Sequence, residues 1–144
     1  MAIPNISTLD GLRILLVDDD LDSCVWMTCL LEFYGVEVHS TFTVDRALRA
    51  FVELWPDLVI TDIAMPDEDG YSLLRQIRQI EEPLEKPTPV IALTALGQSE
   101  AGFSKPEARF DQWFLKPVNT ENLVEAIANL TGRSMLIDKL VSSY

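Results

Sequence analysis

Short apolar runs alternate along the chain with segments whose apolar residues return every three or four positions. Arg13-Ile14-Leu15-Leu16-Val17 reads as a buried strand, and Leu21 to Tyr34 as a helix that Gly35 stops. Glu37 to Phe42 alternates in the manner of a less buried strand. Thr43 can cap a helix with Asp45 and Arg46 in its first turn, ending near Leu54. Leu58-Val59-Ile60-Thr61 is a third strand, entered through Pro56-Asp57. Gly70 to about Ile80 is a helix with Leu73, Leu74, Ile77 and Ile80 on one stripe. A polar, Pro-rich loop from Glu81 to Thr88 precedes a fourth strand, Pro89 to Leu93. Phe114-Leu115, joined by Trp113, forms a short fifth. Thr120 to Leu130 is the last clear helix, with Leu123, Ile127 and Leu130 facing inward. Strands alternating with helices predict an α/β fold, its parallel sheet covered on both faces. No repeat or linker divides the chain: residues 12–131 read as one domain, with flanks at 1–11 and 132–144. The second flank is expected to add a short helix over 133–141.

Composition narrows the chemistry. The 144 residues, 48% of them hydrophobic, suffice for one core. Eleven Lys and Arg stand against 23 Asp and Glu, a net charge of −12. Such a chain repels polyphosphate backbones, so direct nucleic-acid binding is not expected; a basic partner or a bound cation is. His39 is the single histidine, which excludes metal sites or catalysis built on several histidines of this chain. Cys24 and Cys29 lie five apart in one helix, about 140° around its axis, and should remain free thiols in a reducing compartment. No apolar run approaches the ~20 residues of a membrane span, and the first residues lack the form of a signal peptide. No membrane insertion and a cytoplasmic location are therefore expected.

The informative pattern lies where the strands end. Val17 runs into Asp18-Asp19-Asp20, Thr61 into Asp62, Leu93 into Thr94, and Leu115 into Lys116. In an open parallel sheet these carboxyl ends line one edge, where ligands bind. Asp18, Asp19 and Asp62 brought together repel one another, and a divalent cation with oxygen ligands removes that penalty. Mg²⁺ suits such a site, since it takes one or two carboxylates, keeps several waters and accepts a phosphoryl oxygen. Lys116 can pair with a carboxylate at rest and a phosphoryl group later, Thr94 can donate its hydroxyl, and Asp62 would be the nucleophile.

Four segments in order at these separations carry a resemblance: Ile14 to Asp20, Asp62 to Gly70, Ile91 to Ala95, and Phe114 to Pro117. The chain resembles the receiver domains of two-component response regulators over about residues 12–131. The resemblance implies a flavodoxin-like, doubly wound five-stranded sheet of order 2-1-3-4-5. It implies phosphorylation of Asp62 by the phosphohistidine of a sensor histidine kinase or histidine phosphotransfer protein. It places Mg²⁺ on Asp19 and Asp62, with Asp18 acting partly through water and the Ala64 carbonyl as a further ligand. It implies a cis Lys116–Pro117 peptide, and it gives Trp113 the place of the aromatic residue that reports phosphorylation together with Thr94. The group would leave by hydrolysis, with self-phosphorylation and autodephosphorylation as the domain's own chemistry and no separate metabolite turned over.

Two rivals share parts of this pattern. A haloacid-dehalogenase-like phosphatase would want a second Asp two residues after the nucleophile, where Ala64 stands. A receiver-like module without phosphoryl chemistry would have lost an acid or the lysine, and none is lost. Asp20 and Asp22 read as helix-capping groups, Asp67, Glu68 and Asp69 as a solvated turn, and His39 as an exposed edge-strand residue. The first helix is apolar nearly all round, so a stripe of Trp26, Leu30 and Tyr34 is expected against the sheet. Val25 and Cys29 are then left for a phosphodonor, or for cover by residues 1–11 or a dimer mate. Between Thr94 and Lys116, Gly102 and Pro106 weaken the helix expected there. An output domain is not expected within these residues, which leaves a stand-alone receiver, a relay shuttle or a piece of a longer protein.

Overall fold

The computed structural model describes residues 9–65, 68–84, 86–95 and 110–133. In chain order they form β1 (Arg13–Val17), α1 (Leu21–Phe33), β2 (Glu37–Thr41), α2 (Val44–Leu54), β3 (Leu58–Asp62), α3 (Gly70–Glu81), β4 (Val90–Thr94), β5 (Gln112–Leu115) and α4 (Thr120–Leu130). All four pairings are parallel and the sheet order is β2-β1-β3-β4-β5, as expected. The three central strands are covered on both faces. That is why Ile14–Val17, Leu58–Ile60 and Val90–Leu93 are unbroken apolar runs, whereas β2, at an edge, has no fully buried position and Val38 as its one apolar residue.

Alternate side chains along each central strand enter opposite layers. Ile14, Leu16, Leu58, Ile60, Ile91 and Leu93 pack with α1 and α4 on one face. Leu15, Val17, Val59, Val90 and Ala92 pack with α2 and α3 on the other. Each fully buried Leu, Ile or Val contributes about 1.5–3 kcal/mol relative to exposure. Leu9, fully buried, extends the first layer into the N-terminal flank.

Element ends differ from the sequence reading by a residue or two, with local causes. β4 begins at Val90 rather than Pro89, since proline has no N–H for the ladder. β3 includes Asp62, which pairs with Leu93. Thr43 caps α2 as expected, accepting from the Arg46 N–H at 3.2 Å. α1 ends one residue early, with Tyr34 as its cap, and Gly35 turns the chain at φ +85°, where a Cβ would collide with Asp10.

The inward stripe of α1 is a correction. Cys24, Met27 and Leu31 face the sheet, with Leu30 and Tyr34 partly buried beside them, while Trp26 is half exposed. A helix apolar nearly all round, with Asp22 and Glu32 its only charges, has little polar contrast to set its rotation. The phase is set instead at its first turn, where the small Cys24 approaches β1 and its Sγ donates to the Asp18 carbonyl at 3.3 Å. Val25 and Cys29 do lie exposed. The weakened helix between Thr94 and Lys116, the helix over 133–141 and the role of Asp67 fall outside the described residues.

Candidate functional site

Because the sheet is parallel, β1, β3, β4 and β5 deliver their last residues to one edge. Backbone bonds fix those ends beyond the strands: Asp18 N–H to the Thr41 carbonyl at 3.1 Å, Ile63 N–H to Leu93 at 3.0 Å, and Lys116 N–H to Thr94 at 2.8 Å. Asp18, Asp62 and Thr94 are buried there, while Asp19 is exposed.

The side chains converge as the strand ends require. Lys116 Nζ lies 3.2 Å from Asp18 Oδ2 and 3.4 Å from Asp62 Oδ2. The other oxygen of each acid is held by backbone: Asp18 Oδ1 accepts the Asp20 N–H at 3.0 Å, and Asp62 Oδ1 the Ile63 N–H at 3.0 Å. Carboxylate oxygens of Asp18, Asp19 and Asp62 lie within 4.8 Å of one another. Three acids thus face one ammonium. Burial pushes the Asp62 carboxyl above its usual range, and Asp18 adds to this; Lys116 opposes the rise without cancelling it. Burial pulls the Lys116 ammonium down, but Asp62 and Asp18 outweigh it and hold that group above its ordinary value.

This donor set fits a hard divalent cation. The oxygens are anionic, close and short of countercharge, and nitrogen or sulfur ligands are lacking from the cluster. A cation of the Mg²⁺ class would relieve the excess negative charge that a single lysine leaves.

The structure separates the other residues singled out in the sequence. Thr94 ends β4, one residue beyond the Asp62–Leu93 pair. Ala64 follows β3 and is exposed. Trp113 lies on edge strand β5, opposite Ala92, and is 45% exposed. Val25 and Cys29 are exposed on α1. The Lys116–Pro117 peptide is cis. Asp20 takes the N-cap position of α1, yet its side chain accepts from the Ser23 hydroxyl rather than a backbone N–H. Asp69 caps α3, accepting from the Ser72 N–H at 2.9 Å.

Gly70 contributes in a way the sequence reading did not anticipate. A Cβ there would lie 2.7 Å from the Asp62 carbonyl oxygen and 3.1 Å from the Ile63 Cα. The first turn of α3 therefore rests directly on the backbone of the central acid, and the Gly70 N–H donates to the Ile63 carbonyl at 2.8 Å. A glycine at the start of a helix was the only available signal.

The sequence matches the response regulator receiver domain family over residues 14–128. The chain belongs to that family. Receiver domains are signalling modules that work with histidine kinases, and the acidic pocket fits their phosphoacceptor site. This receiver is 34% identical to part of hybrid signal transduction histidine kinase D of Dictyostelium discoideum, over 90% of its own length and 9% of that protein's. Among solved structures it resembles a response regulator of Chloroflexus aurantiacus, at 31% identity and a TM-score of 0.75, covering 84% of this chain and 98% of that one. It also resembles the receiver domain of a Pseudomonas aeruginosa sensor histidine kinase, at 27% identity and a TM-score of 0.73, covering 85% and 98%. That domain was solved with a magnesium ion coordinated in its active-site cleft. The chain spans about half the length of several transcriptional regulators it matches. No helix among the described residues is long and apolar enough to cross a membrane.

Proposed function

We propose that Asp62 is the phosphoacceptor, within a receiver unit of residues 12–131 that works in the cytoplasm. The observation that carries this reading is its buried carboxylate at a strand end, 3.4 Å from Lys116 and within reach of Asp18 and Asp19. Asp62 Oδ2 attacks the phosphorus of a phosphohistidine on a sensor kinase or phosphotransfer protein. The P–N bond breaks as the P–O bond forms, and the imidazole leaves with the electron pair. Lys116 already faces that oxygen and follows the charge onto the phosphoryl group; Thr94 donates its hydroxyl to the same group. Asp18, Asp19, Asp62 and the Ala64 carbonyl would hold Mg²⁺, which supplies neutralisation of the phosphoryl oxygens. Hydrolysis by water returns the carboxylate. Thr94 and Trp113 carry the change to the surface, and Val25 and Cys29 meet the phosphodonor.

The test is incubation with Mg²⁺ and a small acyl phosphate. One acid-stable, base-labile phosphoryl group should appear and should be lost in Asp62→Asn. Equal labelling of that variant would refute the assignment.

A further inference from the structure

Helix α1 differs from its neighbours in what it shows to solvent. α4, on the same face of the sheet, turns Glu121, Asn122, Glu125 and Asn129 outward, and α2 turns out Asp45, Arg46, Arg49 and Glu53. α1 turns out Leu21, Val25, Cys29 and Phe33, at four-residue steps, with Trp26 beside them and only Asp22 and Glu32 as exposed charges among them. Leu21, Val25, Trp26 and Phe33 are each at least half exposed. Such a stripe, about 18 Å long at 1.5 Å per residue, is an interaction surface rather than a solvated face.

The chain leaves α4 beside the foot of this stripe. Gly132, at φ +76°, reverses it, with the Arg133 N–H on the Ala128 carbonyl at 2.7 Å and the Gly132 N–H on Asn129 at 3.4 Å. Arg133 Nη1 then reaches the Asp10 carbonyl at 2.8 Å. Asp10 abuts Gly35, two residues past Phe33, and the Gly11 N–H binds the Gly35 carbonyl at 3.0 Å. The described chain thus ends, at Arg133, on the side of the stripe's Phe33 end. The apolar members of residues 134–144, Met135, Leu136, Ile137, Leu140, Val141 and Tyr144, recur at helical spacing, and Ser134, Asp138, Lys139, Ser142 and Ser143 fall between. As a helix the segment spans about 16 Å, close to the stripe's length. Beyond the stripe Trp26 walls a cavity of about 480 Å³ that Asp18 and Lys116 of the acidic site also line, so the stripe runs up to that site.

We propose that residues 134–144 form an amphipathic helix that docks antiparallel on the outer face of α1, covering Val25, Cys29 and Phe33. Charge favours this occupant over a second copy. Two chains of net charge −12 repel, whereas the tail carries one Asp and one Lys and is neutral as a segment. Residues 1–8 are a poorer match, because Pro4 interrupts their apolar residues Met1, Ala2, Ile3 and Ile6. The docking does not rest on the phosphodonor reading; only its consequence does, that a donor using this face must displace the tail.

Cys29 reports the cover directly. Cys24 is buried and its thiol is pushed up to about 11, so an uncharged maleimide at neutral pH reads Cys29, with Cys29→Ser as control. In the full chain Cys29 should react slowly, and Leu140→Lys or Val141→Lys should speed it about tenfold. Equal rates in all three chains would overturn the proposal. So would protection that grows with protein concentration, which assigns the cover to a second copy, or loss of protection in Ile6→Lys but not in the tail variants. Labelling involves no phosphoryl transfer, so its outcome is independent of the assignment of Asp62.

Discussion

Asp62 occupies an unfavourable place for an ionised carboxylate. Burial raises its folded-state value above the 3.8 of an ordinary aspartate. Below pH 3.8 both folded and unfolded forms are protonated and the residue contributes no pH dependence; as pH rises through 3.8 toward the raised value, stability is lost and stays lost. Without Mg²⁺, Asp62→Asn should therefore melt higher than the parent at neutral pH, and the gap should close below pH 3.8. Thermal unfolding across pH checks this. Adding Mg²⁺ should raise the melting temperature of the parent, and Asp19→Ala should blunt that rise, because one of the three converging carboxylates is gone. These residues were legible in the sequence for a simple reason. A parallel sheet sends every strand end to one edge, so Asp18, Asp62, Thr94 and Lys116 could be placed together from strand boundaries alone. What each oxygen touches was not legible: that backbone N–H groups hold Asp18 Oδ1 and Asp62 Oδ1, leaving the two Oδ2 atoms for Lys116, follows from turn geometry.

Helices were read well where one face is clearly polar and poorly where apolar residues lie nearly all round. α3 and α4 took their phase from Leu73, Leu74 and Ile77, and from Leu123 and Ile127, as expected. α1 offered no such contrast, and its rotation followed Cys24 instead of Trp26. The contact of α3 with β3 is a second case, since close approach to a backbone leaves no periodic trace. Gly70→Ala should cost about 1–3 kcal/mol, because its Cβ would press on the Asp62 carbonyl. The same variant should slow phosphorylation by small donors by moving that residue. At the opposite edge the polar loop conceals a buried acid. Glu81 pairs with Arg78 at 2.7 Å and accepts the Thr88 N–H at 2.6 Å, while Arg78 also donates to the Thr88 carbonyl at 2.8 Å. Glu81→Ala strands these donors and should cost about 2–3 kcal/mol in denaturant unfolding.

For the molecule as a whole, charge and the α1 face act on the same event. A chain of net charge −12 draws a basic donor surface over distance, so transfer from a cognate kinase should slow as salt rises while transfer from a small acyl phosphate changes little. Val25→Glu should slow the kinase reaction alone, and Leu140→Lys should speed it alone; stopped-flow or labelled-phosphate kinetics with both donors checks each sign. The closing contact of Arg133 with Asp10 has a separate meaning. It holds the entry and exit of the folded unit side by side, at the edge away from the acids. A short bridge between them would make the backbone a ring with the sheet undisturbed, so the fold should tolerate circular permutation, and insertion between two points of a host protein should require no stretching of either junction.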